Sequence, residues 1–210
     1  RTLGNLRKRE GDGFLLSQLQ ALEKGELEPA LHLDVLDALK SRSNMRRIGA
    51  ALKAHEQSLD ASDPLAPFRV ALTGGDPDAG AEVFHGSGKA LCRQCHVAQG
   101  DLMTAGPNLA GIGTRKTAEY LLRAMIDPSA DLAPGYAVTT LSFKDGSSKT
   151  GFLVAKTDSS VAIKEGEEVH EYPLEQVSAQ TPAISSMPPI GETLAKRELR
   201  DLLAYLSSLK

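Results

Sequence analysis

The spacing of apolar residues changes along this 210-residue chain, and that change limits the folds open to it. In the first half, apolar residues recur three or four positions apart, which is typical of amphipathic helices. Residues 135–172 instead alternate in short β-branched runs, separated by turn sequences such as Asp145-Gly146. Helical spacing returns over residues 193–209. The sequence therefore predicts helices, an antiparallel meander of about four strands, and a C-terminal helix. The strands are predicted at residues 137–143, 151–155, 161–163 and 169–172.

Residues 1–66 predict a train of helices separated by short breaks. Asp12 is placed to cap the first helix, Pro29 opens a second, and Asn44 opens a third. Such a train suits the end of an α-solenoid repeat array, and an ordinary helical cap fits it equally well. The proline-bearing stretch 60–67 is the predicted boundary between this region and residues 67–210.

Composition excludes several classes of protein. The formal net charge is −3 with a pI near 6.0, so no broad basic face is expected and nucleic acid is not a predicted partner. No stretch is apolar for long enough to span a bilayer, and two cysteines cannot build a multi-bridge disulfide framework. Aromatic residues make up 4% with no Trp, so a dense core needs Leu, Ala, Val and Ile or a bound apolar group. Because the sequence begins at Arg1 without Met, we expect a processed product or a fragment of a longer protein.

Cys92, Cys95 and His96 form the Cys-x-x-Cys-His signature of covalent c-type haem attachment. Two thiols at this spacing match the two haem vinyl groups, and the adjacent imidazole supplies an axial nitrogen to the iron. A thioredoxin-type pair would need a βαβ context, which the helical approach to Cys92 lacks. A zinc site would need a fourth ligand at metal spacing. The motif therefore predicts one haem c as cofactor, bound through both cysteines.

Further runs around the motif resemble class I c-type cytochromes, in the same order along the chain. They are the helix bearing Gly80, the run Gly106-Pro107-x-Leu109-x-Gly111, the later Met187-Pro188 and the C-terminal helix. More narrowly, residues 105–113, 134–136 and 185–188 resemble the planctomycete and verrucomicrobial type of haem-binding domain. That domain is commonly found at the C-terminus of large exported proteins.

The resemblance covers residues 67–210 and implies a mainly α protein. Its expected fold is a class I cytochrome c fold with a small antiparallel β-meander insert at about 135–180. Residues 1–66 would then be the remnant of a HEAT-like α-solenoid that precedes this monohaem domain.

The resemblance also implies the surroundings of the haem. The Pro107 carbonyl would accept a hydrogen bond from His96 Nδ1 and so orient the ring. Leu109 would line the pocket. Arg115 and Tyr136 are candidate partners for the haem propionates, by charge and by a phenol hydrogen bond. Alternatively, Arg115 is a solvated loop arginine and Tyr136 a half-buried tyrosine.

Met187 is the predicted second axial ligand. Prolines follow it directly and hold an extended, non-helical backbone, which suits a thioether that must be aimed rigidly. Met103 is the runner-up, although it follows His96 closely for a ligand on the opposite face. Met45 and Met125 lie on helical apolar stripes, where core filling is the expected role. His85 and His170 are the rival distal ligands.

The predicted function is electron transfer by His/Met-ligated haem, with His96 and Met187 as the metal ligands. The chain would be a carrier rather than an enzyme, exchanging electrons with a redox partner protein or a fused dehydrogenase domain. The resemblance implies a periplasmic or otherwise exported location. Two alternatives stay open: a haem-based gas or redox sensor with an exchangeable distal ligand, and an interaction scaffold stapled by haem.

Overall fold

A computed structural model describes residues 8–86, 88–100 and 105–210 of the chain. The described residues divide into two compact units. The first unit comprises the described parts of residues 1–92, together with 111–122 and 191–210, and the second comprises the described parts of 93–110 and 123–190. The predicted boundary between residues 1–66 and residues 67–210 stays a prediction.

The described residues form eight α-helices. They are α1 (Lys8–Glu23), α2 (His32–Lys40), α3 (Arg46–Ser58), α4 (Pro77–Gly86), α5 (Cys92–Cys95), α6 (Ile112–Arg115), α7 (Ala118–Ile126) and α8 (Lys196–Ser208). Short 3-10 helices lie at Pro29–Leu31, Ala66–Ala71 and Leu174–Gln176. None of the helices in the part of the chain that the structure describes is both long and apolar enough to cross a membrane.

In the first unit, α1, α2 and α3 pack around one apolar core. Each helix contributes two buried residues, four positions apart: Leu15 and Leu19, Val35 and Leu39, and Ile48 and Leu52. The predicted N-cap role of Asp12 is wrong. Because α1 begins at Lys8, Asp12 lies inside the helix, and its carboxylate pairs with Arg42 Nη1 at 2.7 Å.

Ion pairs join α2 to the C-terminal helix α8 within the first unit. Asp34 on α2 pairs with Arg197 at 2.7 Å and with Arg200 at 3.1 Å. Burial opposes ionisation of Asp34, but hydrogen bonds from the two guanidinium groups outweigh it and lower the pKa of the carboxyl. Helices that are far apart in sequence therefore belong to one packed body.

Gly80 allows α4 and α8 to approach closely. A Cβ at this position would overlap the backbone carbonyl of Asp201 and lie 2.7 Å from the Cβ of Tyr205. Since a backbone carbonyl cannot turn aside as a side chain can, the two helices depend on the missing side chain for their separation.

The second unit contains one antiparallel sheet. Its strands are β1 (Ala137–Phe143), β2 (Ser148–Lys156), β3 (Ser160–Glu165), β4 (Glu168–Pro173), β5 (Val177–Gln180) and β6 (Ile184–Ser185). The order across the sheet is β4-β3-β2-β1-β5, and β6 also pairs with β1. The four predicted strands are confirmed, and β5 and β6 are additional.

The sheet has an apolar core of its own. Leu141, Val161 and Ile163 are fully buried, and Phe143 and Tyr172 pack against them with ring centroids 5.0 Å apart. The Tyr172 hydroxyl donates a hydrogen bond to Glu165 at 2.6 Å, which raises the pKa of Tyr172 to about 12. The residues of the sheet therefore bury an apolar core of their own and do not form a surface loop.

The prediction of a mainly α class I cytochrome c fold is wrong. The described residues combine α-helices with a six-stranded antiparallel sheet, so the fold is α+β. The four-residue strand β5 and the two-residue strand β6 carry too few residues to show a period of two. They form because the free side of β1 supplies their hydrogen-bond partners, and they turn the expected meander into a larger sheet.

Replacing Gly80 by alanine is expected to destabilise the protein by about 1–3 kcal/mol, because the added methyl group pushes α8 away from α4. Urea unfolding of the whole chain measures this change. Gly86→Ala, at the end of the same helix, is the matched control, since a Cβ there has nothing within 4 Å. Equal stabilities of the two variants would show that the close approach at Gly80 is not needed.

Candidate functional site

The two cysteines begin and end the single helical turn α5. Residues three apart on a helix share a face, so Cys92 and Cys95 are presented on the same side of this turn. Cys92 is half-buried and Cys95 is exposed, and no disulfide joins them. Cys92 is the last residue of its segment of the first unit, and Cys95 lies in the second unit.

His96 follows the turn directly and has one ring nitrogen engaged. Its Nδ1 lies 2.8 Å from the carbonyl oxygen of Pro107, the contact that the cytochrome resemblance implies. A carbonyl can only accept a hydrogen bond, so Nδ1 carries the proton and donates. In the neutral ring this places the lone pair on Nε2, which is the nitrogen then available to a metal.

Gly106 brings the Pro107 loop close to the His96 ring. A Cβ at residue 106 would lie 2.7 Å from His96 Cε1 and 2.8 Å from the carbonyl oxygen of Cys95. The Gly106 N–H donates to that same carbonyl at 2.7 Å. Only a residue without a side chain can therefore hold the loop at this distance from the imidazole.

The same loop is closed by hydrogen bonds at its far end. The Leu109 N–H donates to the Val97 carbonyl at 2.9 Å. The Asn108 side chain donates to the Gly100 carbonyl at 2.7 Å and accepts from the Ala110 N–H at 2.8 Å. These bonds fix the backbone on both sides of Pro107, so the carbonyl that faces His96 is held in place.

Leu91 precedes the first cysteine in an unusual conformation. Its φ of 51° lies in the left-handed region, which costs a leucine about 1–2 kcal/mol. The residue is also 46% exposed, so burial in the protein does not offset that cost. The result is an apolar side chain presented to solvent beside Cys92, where a haem edge would attach.

Met187 lies in the second unit and is half-buried. Its N–H donates to the Ser185 hydroxyl at 3.1 Å, and prolines occupy the next two positions. It shares the second unit with Cys95, His96, Pro107 and Leu109.

The other methionines and histidines considered as the second axial ligand lie elsewhere in the chain. Met125 is buried in α7, Met45 is 37% exposed at the start of α3, and Met103 lies outside the described residues. His85 Nε2 lies 3.2 Å from the Tyr205 hydroxyl in the first unit. His170 Nε2 on β4 lies 3.3 Å from a carboxylate oxygen of Glu168.

The two proposed propionate partners lie in different units. Tyr136 belongs to the second unit and packs edge-on against Phe152, with ring centroids 6.5 Å apart. Arg115 belongs to the first unit, is exposed at the end of α6, and donates to the Gly111 carbonyl at 3.3 Å. A contact of either residue with a propionate stays a prediction.

Sequence reasoning did not assign roles to Asn108, Ser129 and Ser185. Asn108 had a detectable signal, because asparagine after proline favours a turn closed by its own side chain. Ser129 accepts the Ser185 N–H at 3.1 Å, and these two residues are 56 positions apart. No local pattern reveals a pairing over that distance.

Comparison with models of known protein families and with curated proteins finds no match to this chain. Among the residues that the structure describes, no three His, Cys, Asp or Glu side chains are grouped so that they could hold a metal ion. Haem iron needs only one protein ligand on each side of the ring, so such a group is not what its attachment requires.

The residues around Cys92–His96 fit a covalently attached haem on three observations. The cysteines share a face and are not oxidised to a disulfide, the His96 ring has Nε2 as its acceptor nitrogen, and Gly106 keeps side-chain atoms away from the imidazole. The cysteines would tether the haem, and His96 would be its proximal ligand.

Gly106→Ala is expected to break the hydrogen bond between His96 and Pro107, because its methyl group would overlap the ring. In the haem-free protein, nitrogen NMR should show a single Nδ1–H tautomer for His96 in the wild type and a tautomer mixture in the variant. Haem attachment should fall by about tenfold, the usual effect of losing a partner that orients a metal-binding histidine.

The matched control is Gly88→Ala, since a Cβ at Gly88 meets nothing within 4 Å. An unchanged tautomer and an unchanged haem yield in Gly106→Ala would contradict the role of this glycine.

Proposed function

We propose that this protein carries single electrons through one haem c attached to Cys92 and Cys95, with His96 and Met187 as the axial ligands. The observation that carries the proposal is the His96–Pro107 hydrogen bond beside the cysteine pair. It selects the tautomer that a proximal ligand needs and fixes the ring before any metal arrives. A haem c, when bound, supplies an iron that changes its charge by one electron.

The side chains of this chain would hold the group and control access to it. The two thioether bonds keep it from dissociating, and the Pro107 carbonyl raises the basicity of the His96 ring. Met187 closes the remaining position and so excludes water and small ligands from it. A thioether also favours the reduced metal, which raises the reduction potential. These roles suit a carrier rather than an enzyme that needs an open site.

The electron partners follow from the same chemistry. A carrier requires a donor and an acceptor, and we assign these roles to a redox partner protein or a fused dehydrogenase domain. The proposed location is periplasmic or otherwise exported, where thioether attachment of haem is carried out. The cytochrome resemblance of the motifs supports both assignments.

Covalent attachment is tested by expressing the chain for export in a bacterium with a c-type haem maturation system. The wild type should retain haem on a denaturing gel and titrate as a one-electron couple, with a tenfold change in the oxidised-to-reduced ratio every 59 mV or so. The Cys92→Ser and Cys95→Ser double variant should lose covalent haem. Retention of non-covalent haem only, or none, by the wild type would overturn the proposal.

The second ligand is tested by Met187→Ala, with Met45→Ala as the matched control because Met45 is exposed just before α3. The wild type should show the Met-to-iron charge-transfer band near the red end of the oxidised spectrum, and Met187→Ala should lose it. The variant should also bind carbon monoxide when reduced and show a lower potential.

Fast, stoichiometric carbon monoxide binding by the wild type would instead favour a gas sensor with an exchangeable ligand. An unchanged potential and electron-transfer rate in Met187→Ala would favour a scaffold in which haem is only a staple.

A further inference from the structure

The segment that carries Met187 is tied down at both ends within the second unit. On one side it continues from β6, where Ile184 pairs with Val138 and Ser185 pairs with Ala137. On the other side the buried Ile190 donates its N–H to the Met125 carbonyl at 2.9 Å. The sheet and α7 therefore hold the two ends of a short segment that has Met187 near its middle.

Two serines connect Met187 to these supports. The Ser185 N–H donates to the Ser129 hydroxyl at 3.1 Å, and the Ser185 hydroxyl accepts the Met187 N–H at 3.1 Å. Ser129 lies in the turn that follows α7, so the chain of hydrogen bonds runs from this turn through β6 to the methionine. In both contacts a hydroxyl oxygen accepts a backbone N–H, so each serine restrains the backbone of the segment that carries Met187.

The backbone between the two anchors is restrained by hydrogen bonds and by two prolines. Residues 185–190 contain four backbone N–H groups, because Pro188 and Pro189 have none. Three of the four, those of Ser185, Met187 and Ile190, are hydrogen-bonded. The prolines also restrict φ in the remaining part of the segment. An ordinary surface loop needs no such restraint, whereas a ligand that must be held at one position does.

We propose that Ser129 and Ser185 are positioning residues that mount Met187 on the sheet and on α7 as the distal ligand. This inference rests on the proposed function, since it assigns a task to residues around the ligand named there. It also assigns a task to the sheet, because β6 exists through its pairing with β1. Without the two hydroxyls, Met187 should dissociate from the iron more often.

The test compares Ser129→Ala and Ser185→Ala with Ser185→Thr, which retains a hydroxyl, and with Ser186→Ala, an exposed neighbour outside the hydrogen-bond chain. Losing one hydrogen bond is expected to increase the fraction of open distal sites by about tenfold. Carbon monoxide should therefore bind the reduced alanine variants about tenfold faster. Their Met-to-iron band should weaken and their potential should fall, while Ser185→Thr and Ser186→Ala should match the wild type.

A second readout needs no haem. Hydrogen exchange of the Met187 amide in the haem-free protein should be faster in Ser185→Ala than in Ser186→Ala, because only the former removes its acceptor. This measurement applies even if an alanine variant matures poorly.

The outcomes separate this inference from the proposed function. A wild type that shows the Met-to-iron band, together with alanine variants that keep the wild-type band, potential and carbon monoxide rate, would overturn the positioning role alone. A wild type without covalent haem or without the band would overturn the proposed function, and the positioning role with it.

Discussion

The hydrogen bond from His96 Nδ1 to the Pro107 carbonyl is the interaction on which the proposed haem site depends. It decides which ring nitrogen keeps its lone pair, and it requires a loop that approaches the ring within contact distance. Because Gly106 has no side chain, the loop can lie this close to the ring. The side chain of Asn108 holds the loop through hydrogen bonds to the backbone of Gly100 and Ala110. The imidazole is therefore oriented by the protein alone, so a metal would not have to order it on binding.

The proposed role of the sheet is to position the segment that carries Met187. β1 has neighbours on both sides: β2 on one, and β5 and β6 on the other. The segment after β6 carries the methionine, so the sheet fixes where that segment starts. A sheet with its own buried core is stiff enough for such a task, whereas an unsupported loop of the same length would sample many positions.

Local patterns were enough to predict several elements. The alternation in residues 137–172 located four strands, because side chains on a half-buried strand must alternate between core and solvent. Thr117 directly precedes α7, and its hydroxyl accepts the Tyr120 N–H at 3.2 Å, as an N-cap residue does. The N-cap prediction for Asp12 was wrong because α1 begins further towards the N-terminus. The Asp12 carboxylate instead pairs with Arg42, thirty residues away.

The sequence by itself determined the cysteine pair, the adjacent histidine, and the helices and strands whose periods are long enough to be seen. It also placed a proline carbonyl as the partner of His96 through the resemblance to cytochromes. Only the tertiary structure decided that the fold is α+β, that β5 and β6 join β1, and that Ser129 meets Ser185. The physical reason is the same in each case: these features are contacts between residues far apart in the chain, and a short strand or a single serine acquires its role from a partner that no local pattern reveals.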